Sequence, residues 1–280
     1  MASIGIFDSG SGGLSVYREI RKLLPAEKYI YFADNAFCPY GSKSQAFIRE
    51  RAREITELLV RRGADIIVIA CNTATAAAIA ALRAEFSEAA SEALREWSDG
   101  RLDRISFIGM EPAIKPAATG TRSGVIGVLA TAGTLASSKY LQTRGQHAEE
   151  VRIVERVGRD FVELVERGEL SGLRAELTVR ASLLPLLEAG ADTIVLGCTH
   201  YPFLLGTLQK VAEEYARENG TQTARFIDPA PAVARQLLHV MDREGLPHGP
   251  VSPDGVLPQP DLTLLSSGPS CSLHSILPLL

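Results

Sequence analysis

The chain lacks most of what would tie it to nucleic acid, membrane or metal. Its formal net charge is −4, so there is no basic excess of the kind a nucleic-acid partner requires. No apolar run reaches the length of a bilayer span, and Met1–Gly13 lacks the basic and apolar regions of a secretion signal. A cytoplasmic protein is the expectation. Only four cysteines occur, at positions 38, 71, 198 and 271, and none forms a CxxC pair. Thiols in a cytoplasmic chain stay reduced, and this spacing argues against a structural zinc site. Cys198-Thr199-His200 is too tight in sequence for a usual zinc pair. There is no P-loop, no dinucleotide fingerprint and no lysine in a Schiff-base context, so no cofactor is expected.

What the chain does have is a stretch written twice. Gly63-Ala64-Asp65-Ile66-Ile67-Val68-Ile69-Ala70-Cys71-Asn72-Thr73 returns as Gly190-Ala191-Asp192-Thr193-Ile194-Val195-Leu196-Gly197-Cys198-Thr199-His200. Each copy reads as a turn, a short β-branched apolar run and a polar break that begins at cysteine. That pattern predicts a buried parallel strand with a thiol at its carboxyl end. Amphipathic runs over Ile48–Arg62 and Leu173–Glu188 precede the two copies. A lone strand-end cysteine is more often inert core. Two of them, with hydroxyl and imidazole neighbours, point to a site. A chain of 280 residues with 46% hydrophobic residues can fill two cores. The expectation is therefore two similar, pseudo-symmetric α/β domains with mainly parallel sheets, and an active site in the cleft between them.

Other strand ends carry chemistry as well. Ser3–Phe7 runs into Asp8-Ser9-Gly10-Ser11-Gly12-Gly13, a glycine-rich turn before a helix over Leu14–Leu24. Asp8 can cap that helix or serve a nearby thiol. Lys28–Ala33 is the second strand, followed by a rigid loop with a Pro39-Tyr40-Gly41 turn. Cys38 reads as a bystander. Helices are expected over Ala74–Phe86, Leu205–Asn219 and from Asp228 to Asp242, and strands at Ile105–Met110, Val151–Val154, Ala224–Ile227 and Asp261–Leu265. A helix starting after Cys71 would favour its thiolate. Phe86–Arg104 reads as a charged helical extension on the surface, Asp160–Arg167 as a short amphipathic turn, and Gly245–Pro260 as a loop. Ser123–Leu129 repeats the first strand, since Ile126-Gly127-Val128-Leu129-Ala130-Thr131 parallels Ile4-Gly5-Ile6-Phe7-Asp8-Ser9. Ala130 stands where Asp8 stands, so the halves match in fold and differ in chemistry.

These motifs together resemble the glutamate racemases of the cofactor-independent aspartate/glutamate racemase superfamily. The matching pieces are Asp8-Ser9-Gly10-x-Gly12-Gly13, Pro39-Tyr40-Gly41, Ala70-Cys71-Asn72-Thr73-Ala74, Glu111-Pro112, Ala130-Thr131-x-Gly133-Thr134 and Gly197-Cys198-Thr199-His200-Tyr201-Pro202. They occur in the family's order and span essentially the whole chain. The resemblance implies racemisation of L- and D-glutamate by two cysteine bases, supplying D-glutamate for peptidoglycan. It places the catalytic thiols at Cys71 and Cys198, with Asp8, His200 and Glu166 assisting. Substrate contacts fall on Asp8, Ser9, Pro39, Tyr40, Gly41, Asn72, Thr73, Thr131, Thr134, Thr199 and His200. It also implies one domain of residues 1–112 with 228–280 and another of 113–227. A homodimer is admitted as the assembly. The chain departs from the family in carrying Gly158-Arg159 near the place of a frequent Cys-Pro, Phe37 for a frequent Arg, Pro229 for a frequent Ser, and an insertion over residues 86–102. Rival readings are a superfamily racemase for aspartate or another small acid, a non-catalytic acidic-amino-acid binding module, and a thiol redox protein.

Overall fold

The computed structural model describes residues 1–249, 261–269, 273 and 276–279. Cys271, and residues 250–260 of the expected loop, lie outside them. In chain order the first part runs β1 (Ser3–Asp8), α1 (Leu14–Leu23), β2 (Lys28–Ala33), α2 (Gln45–Arg61), β3 (Ile66–Ile69), α3 (Asn72–Phe86), α4 (Glu92–Trp97) and β4 (Ser106–Gly109). There follow α5 (Ile114–Gly120), β5 (Val125–Ala130), α6 (Ala132–Leu135), α7 (Ser138–Gln146), β6 (Arg152–Val157) and α8 (Phe161–Glu166). The remainder is α9 (Leu173–Glu188), β7 (Thr193–Gly197), α10 (Leu205–Asn219), β8 (Arg225–Ile227), α11 (Ala230–Glu244) and β9 (Asp261–Ser266). One compact unit comprises Met1–Met110 with the described residues of Ala230–Ser270, and Glu111–Pro229 belongs to the other. Among the described residues no helix is long and apolar enough to cross a membrane.

Each unit is built on one parallel sheet, ordered β4-β3-β1-β2-β9 in the first and β6-β5-β7-β8 in the second. Read from the other edge, the second order is β8-β7-β5-β6, the same path as β4-β3-β1-β2. The register repeats too. Ile4 pairs with Ile66 in the first sheet and Ile126 with Thr193 in the second, which are corresponding positions of the two copies. The central strands of each sheet are buried almost end to end, as expected where helices cover both faces of a parallel sheet. The edge strands β6, β8 and β9 carry charged or polar residues and are partly exposed. Ile66–Ile69 and Thr193–Gly197 are buried throughout.

The repeated Gly-Ala-Asp has a local cause. Gly63 and Gly190 adopt positive φ of 96° and 89°, ending α2 and α9 in a conformation that side chains rarely adopt. The next residues, Ala64 and Ala191, return their amides to Leu59 and Leu186 of those helices. Asp65 then accepts from the Ser3 amide, and Asp192 from the Arg122 and Ser123 amides, at 2.7–2.8 Å. Each aspartate thus fastens the start of the neighbouring strand. Those helices cross close to Gly5 and Gly127: a Cβ there would lie 3.3 Å from Leu59 Cδ1 and 3.0 Å from Leu186 Cδ1. The repeat is a packing unit as well as a sequence pattern.

The stretch after Phe86 differs from its expected form. It is no surface extension of α3. Ser91 caps a separate helix, α4, by accepting from the Leu94 amide. Leu94 and Trp97 of α4 are buried in the first unit's core, with the Trp97 ring 5.3 Å from that of Phe86. The spacing of Leu94 and Trp97, three apart on a charged helix, makes one narrow apolar stripe. We expect Trp97→Ala to cost about 3 kcal/mol in denaturant unfolding, because it opens a cavity in a filled core. A loss below about 1 kcal/mol would return this segment to the surface. Smaller differences are that α3 begins at Asn72, α11 at Ala230 after Asp228-Pro229, and the Asp160–Arg167 turn is the helix α8.

Candidate active site

In the first unit the carboxyl ends of β1, β2 and β3 deliver Asp8, Asp34 and, one residue past Ala70, Cys71. Cys71 is itself the cap of α3: the Ala74 amide donates to its sulfur at 3.4 Å. Helix amides aimed at sulfur suit a sulfur that carries negative charge. Cys71 Sγ also donates to Ser9 Oγ at 3.8 Å, and Ser9 Oγ to Asp8 Oδ1 at 3.4 Å. Asp8 is fully buried, with Oδ1 accepting the Ser9 amide at 2.7 Å and Oδ2 the Gly13 amide at 2.6 Å. Asp8 does not cap α1, whose first turn has no side-chain cap; its carboxylate binds the turn before the helix instead. It also ends a hydrogen-bonded path from the thiol through Ser9. Tyr31 fixes the turn from the next strand by donating to the Gly10 carbonyl at 2.9 Å.

Asn72 follows Cys71 and is 5% exposed, yet neither its amide nitrogen nor its oxygen has a partner among the described residues. A buried carboxamide left unsatisfied is costly, by about 1–3 kcal/mol. Such a group is explained when a ligand completes it. Thr73 beside it is also buried. Its neighbour Thr75, which carries no role in the sequence reading, is structural: it donates to the Ile69 carbonyl and accepts from the Met110 amide.

Tyr40 is buried, and its hydroxyl donates to Asp34 Oδ2 at 2.5 Å. Burial, reinforced by that bond, holds the phenol well above its usual range. What the Pro39-Tyr40-Gly41 turn can offer a ligand is backbone. Cys38 lies in the same loop, half-buried.

The second unit repeats the plan with other residues. β7 ends at Gly197 and is followed by Cys198, Thr199 and His200, all buried. No helix begins at Cys198. A 3-10 turn, Tyr201–Leu204, intervenes before α10. Tyr201 is fully buried, its ring 4.9 Å from Phe161 and its hydroxyl donating to the Gly158 carbonyl at 3.3 Å. Burial pushes this phenol well above its usual range, and the nearby Cys198 adds to the shift.

Cys198 Sγ lies 3.8 Å from His200 Nδ1, and His200 Nε2 lies 2.7 Å from Glu166 Oε1. The carboxylate can only accept, so Nε2 carries a hydrogen in this pair. In the neutral ring Nδ1 is then the acceptor facing sulfur. Glu166 sits at the end of α8, half-buried, 34 positions from its histidine. At the end of β5, Thr131 caps α6 by accepting from the Thr134 amide at 3.2 Å, and the two hydroxyls are 2.9 Å apart.

Each unit therefore gathers its predicted residues at the carboxyl end of its sheet. Asp8, Ser9, Cys71, Asn72 and Thr73 collect in the first, and Thr131, Thr134, Cys198, Thr199 and His200 with Glu166 in the second. Two residues with no place in the sequence reading also stand there. Asp34 and Arg51 form a two-pronged ion pair beneath Tyr40. No sequence pattern flags it, because the partners are 17 positions apart on different elements.

Residues 4–237 match the family model described as Asp/Glu/Hydantoin racemase. The glutamate racemase of Pseudomonas putida strain W619 is 42% identical over 280 residues, covering 100% of this chain and 94% of that protein. That of a Roseiflexus species (strain RS-1) is 44% identical over 243 residues, covering 87% and 80%. Among solved structures, Escherichia coli glutamate racemase in complex with L-glutamate and the activator UDP-MurNAc-ala superposes with a TM-score of 0.76. It is 32% identical, with 99% of this chain and 93% of that one covered. With a family model spanning most of its length and close relatives matched nearly end to end, this chain belongs to the Asp/Glu/hydantoin racemase family.

Proposed function

We propose that the chain interconverts L- and D-glutamate without a cofactor, Cys71 and Cys198 acting as the two bases. The observation that carries this reading is that each strand-end thiol has its own hydrogen-bonded route to a carboxylate, through Ser9 to Asp8 and through His200 to Glu166. Racemisation needs a proton removed from one face of the α-carbon and another delivered to the opposite face. Two thiols divide that work, one as thiolate and one as thiol. The relays prepare each for its part: His200 Nδ1 can take the Cys198 proton, and Ser9 and Asp8 can take that of Cys71.

The harder task is the carbanion. If the α-proton is on the order of ten pKa units less acidic than a thiol, the mismatch is about 14 kcal/mol. Donors aimed at the substrate carboxylate must offset much of it. The unpartnered Asn72 carboxamide suits that role, and Thr73, Thr131, Thr134 and Thr199 are the other candidate contacts. Ser9, Pro39, Tyr40 and Gly41 complete the proposed substrate set. Glutamate as substrate is supported by the names of the relatives and by the L-glutamate held in the E. coli structure. Supply of D-glutamate for peptidoglycan in the cytoplasm is the role that accompanies this activity.

The test is circular dichroism of L-glutamate with purified protein, no added pyridoxal phosphate and a chelator present. The ellipticity is expected to decay to zero as the racemate forms. Activity that returns only with pyridoxal phosphate or a metal ion would end the proposal. L-Aspartate is expected to turn over poorly in the same assay, and comparable rates would shift the substrate to a smaller acid.

A further inference from the structure

We propose that Arg51 of α2 is a positioning residue for substrate binding, holding the Pro39-Tyr40-Gly41 turn in place through the carboxylate of Asp34. The proposal rests on the racemase reading above. β2 ends against Asp34, whose side chain is fully buried. A buried carboxylate persists only where donors surround it. Arg51 supplies two in the fork geometry that suits a carboxylate: Nη2 donates to Oδ1 at 2.8 Å and Nε to Oδ2 at 3.1 Å. The Tyr40 hydroxyl donates to Oδ2 at 2.5 Å. The Asp34 amide donates to the Asp8 carbonyl at 2.9 Å. Asp34 thus joins β1 through its amide, and α2 and the turn through its carboxylate.

Arg51 is held on its other sides as well. Its guanidinium stacks 4.8 Å from the centre of the Phe37 ring, which packs edge-on against Phe47 at 5.3 Å. Nη1 donates to Glu54. The cation, the carboxylate and both rings belong to a single packed cluster at the base of the loop.

The turn needs that cluster. Tyr40–Ser42 is a 3-10 turn of three residues, too short to hold its own position. Its backbone is the part that the racemase reading above offers to the substrate, and its position is set by the Tyr40 ring, which is anchored at its hydroxyl by Asp34. Without Arg51 the buried Asp34 carboxylate loses two of its donors and turns toward water, which releases Tyr40. Lysine in place of Arg51 keeps the charge and loses the fork and the ring stacking.

The experiment compares wild-type chain with Arg51→Lys and Tyr40→Phe, measuring kcat and KM for glutamate in both directions together with the melting temperature. Arg51→Lys is expected to raise KM about tenfold while kcat stays within about threefold, the signature of lost binding that is equal in ground and transition states. Tyr40→Phe keeps the ion pair and loses one anchor, and is expected to raise KM about fivefold. A merely structural role would lower the melting temperature and the active fraction while leaving KM unchanged, and that result overturns the proposal. If Arg51→Lys fails to fold, Tyr40→Phe decides by the same criterion. A wild-type chain that does not racemise glutamate removes the racemase reading and this proposal together. An active wild type with unchanged KM in the variants removes this proposal alone.

Discussion

Replacing Cys71 or Cys198 by Ser is expected to lower racemisation about 10²–10⁴-fold in both directions, since a hydroxyl is too weak a base at neutral pH and general-base catalysis contributes that much. The symmetry of the loss is a thermodynamic requirement. Enantiomers have equal free energy, so kcat/KM must stay equal in the two directions whichever thiol is lost. Racemisation alone therefore cannot say which thiol serves which face. A substrate analogue with a β-leaving group can. Once the α-proton is gone, its carbanion expels chloride, and the enamine hydrolyses to keto acid and ammonia without reprotonation on the far face. The family resemblance gives Cys71 to D-glutamate and Cys198 to L-glutamate. Cys71→Ser should then still eliminate from the L analogue, and Cys198→Ser from the D analogue. Keto-acid release by both variants from both enantiomers measures this. Loss of both eliminations in one folded variant contradicts the two-base proposal, and a reversed preference reassigns the faces.

The parts of this design that are visible in the sequence are those that local physics repeats. The copies at Gly63 and Gly190 stand out because turn, staple and strand are each built from neighbouring residues. The same backbone bonds recur in the structure: Ala64 and Ala191 donate to the preceding helices, and the Asp65 and Asp192 amides donate to the Ser3 and Val125 carbonyls. β2 falls at the expected residues as a continuous apolar run, and α9 and α10 because their buried positions recur at three and four residues. By contrast, no apolar stripe announces α7, since of Ser138–Gln146 only Tyr140 is buried. α4 is hidden in the sequence because Leu94 and Trp97 lie among charges, and only the fold brings the indole against Phe86.

The site divides along the same line. Both cysteines, Asp8 and His200 stand out because they lie at strand ends within the repeats or their motifs. Glu166 and Asp34 gain their meaning from partners distant in sequence, His200 and Arg51. Cys71 as its own helix cap, and Cys198 without one, is the other feature that only the backbone reveals. The two thiols share a strand position and differ in what supports them, a helix amide and Ser9 for one and an imidazole for the other.

That difference sets the second large effect, which is one-sided. His200 lies between Cys198 and Glu166, with Nδ1 toward sulfur and the Nε2 hydrogen donated to the carboxylate. His200→Asn removes the proton acceptor for Cys198, and leaves the Ser9–Asp8 route of Cys71 intact. Elimination from the L analogue, which the two-base proposal assigns to Cys198, should fall about 10²–10⁴-fold, while elimination from the D analogue changes less than about threefold. Glu166→Gln keeps a hydrogen-bonding group at Nε2 and loses the charge that fixes the tautomer and stabilises the ring once it holds a second proton. Its effect should be smaller, about tenfold to a hundredfold, and on the same enantiomer. Under the two-base proposal racemisation falls in both directions with either variant, because each turnover then needs Cys198 as base or as acid. Equal losses of elimination from both enantiomers, with an unchanged melting temperature, would mean that His200 supports the site as a whole rather than one thiol. An effect confined to the D analogue would hand Cys198 the opposite face.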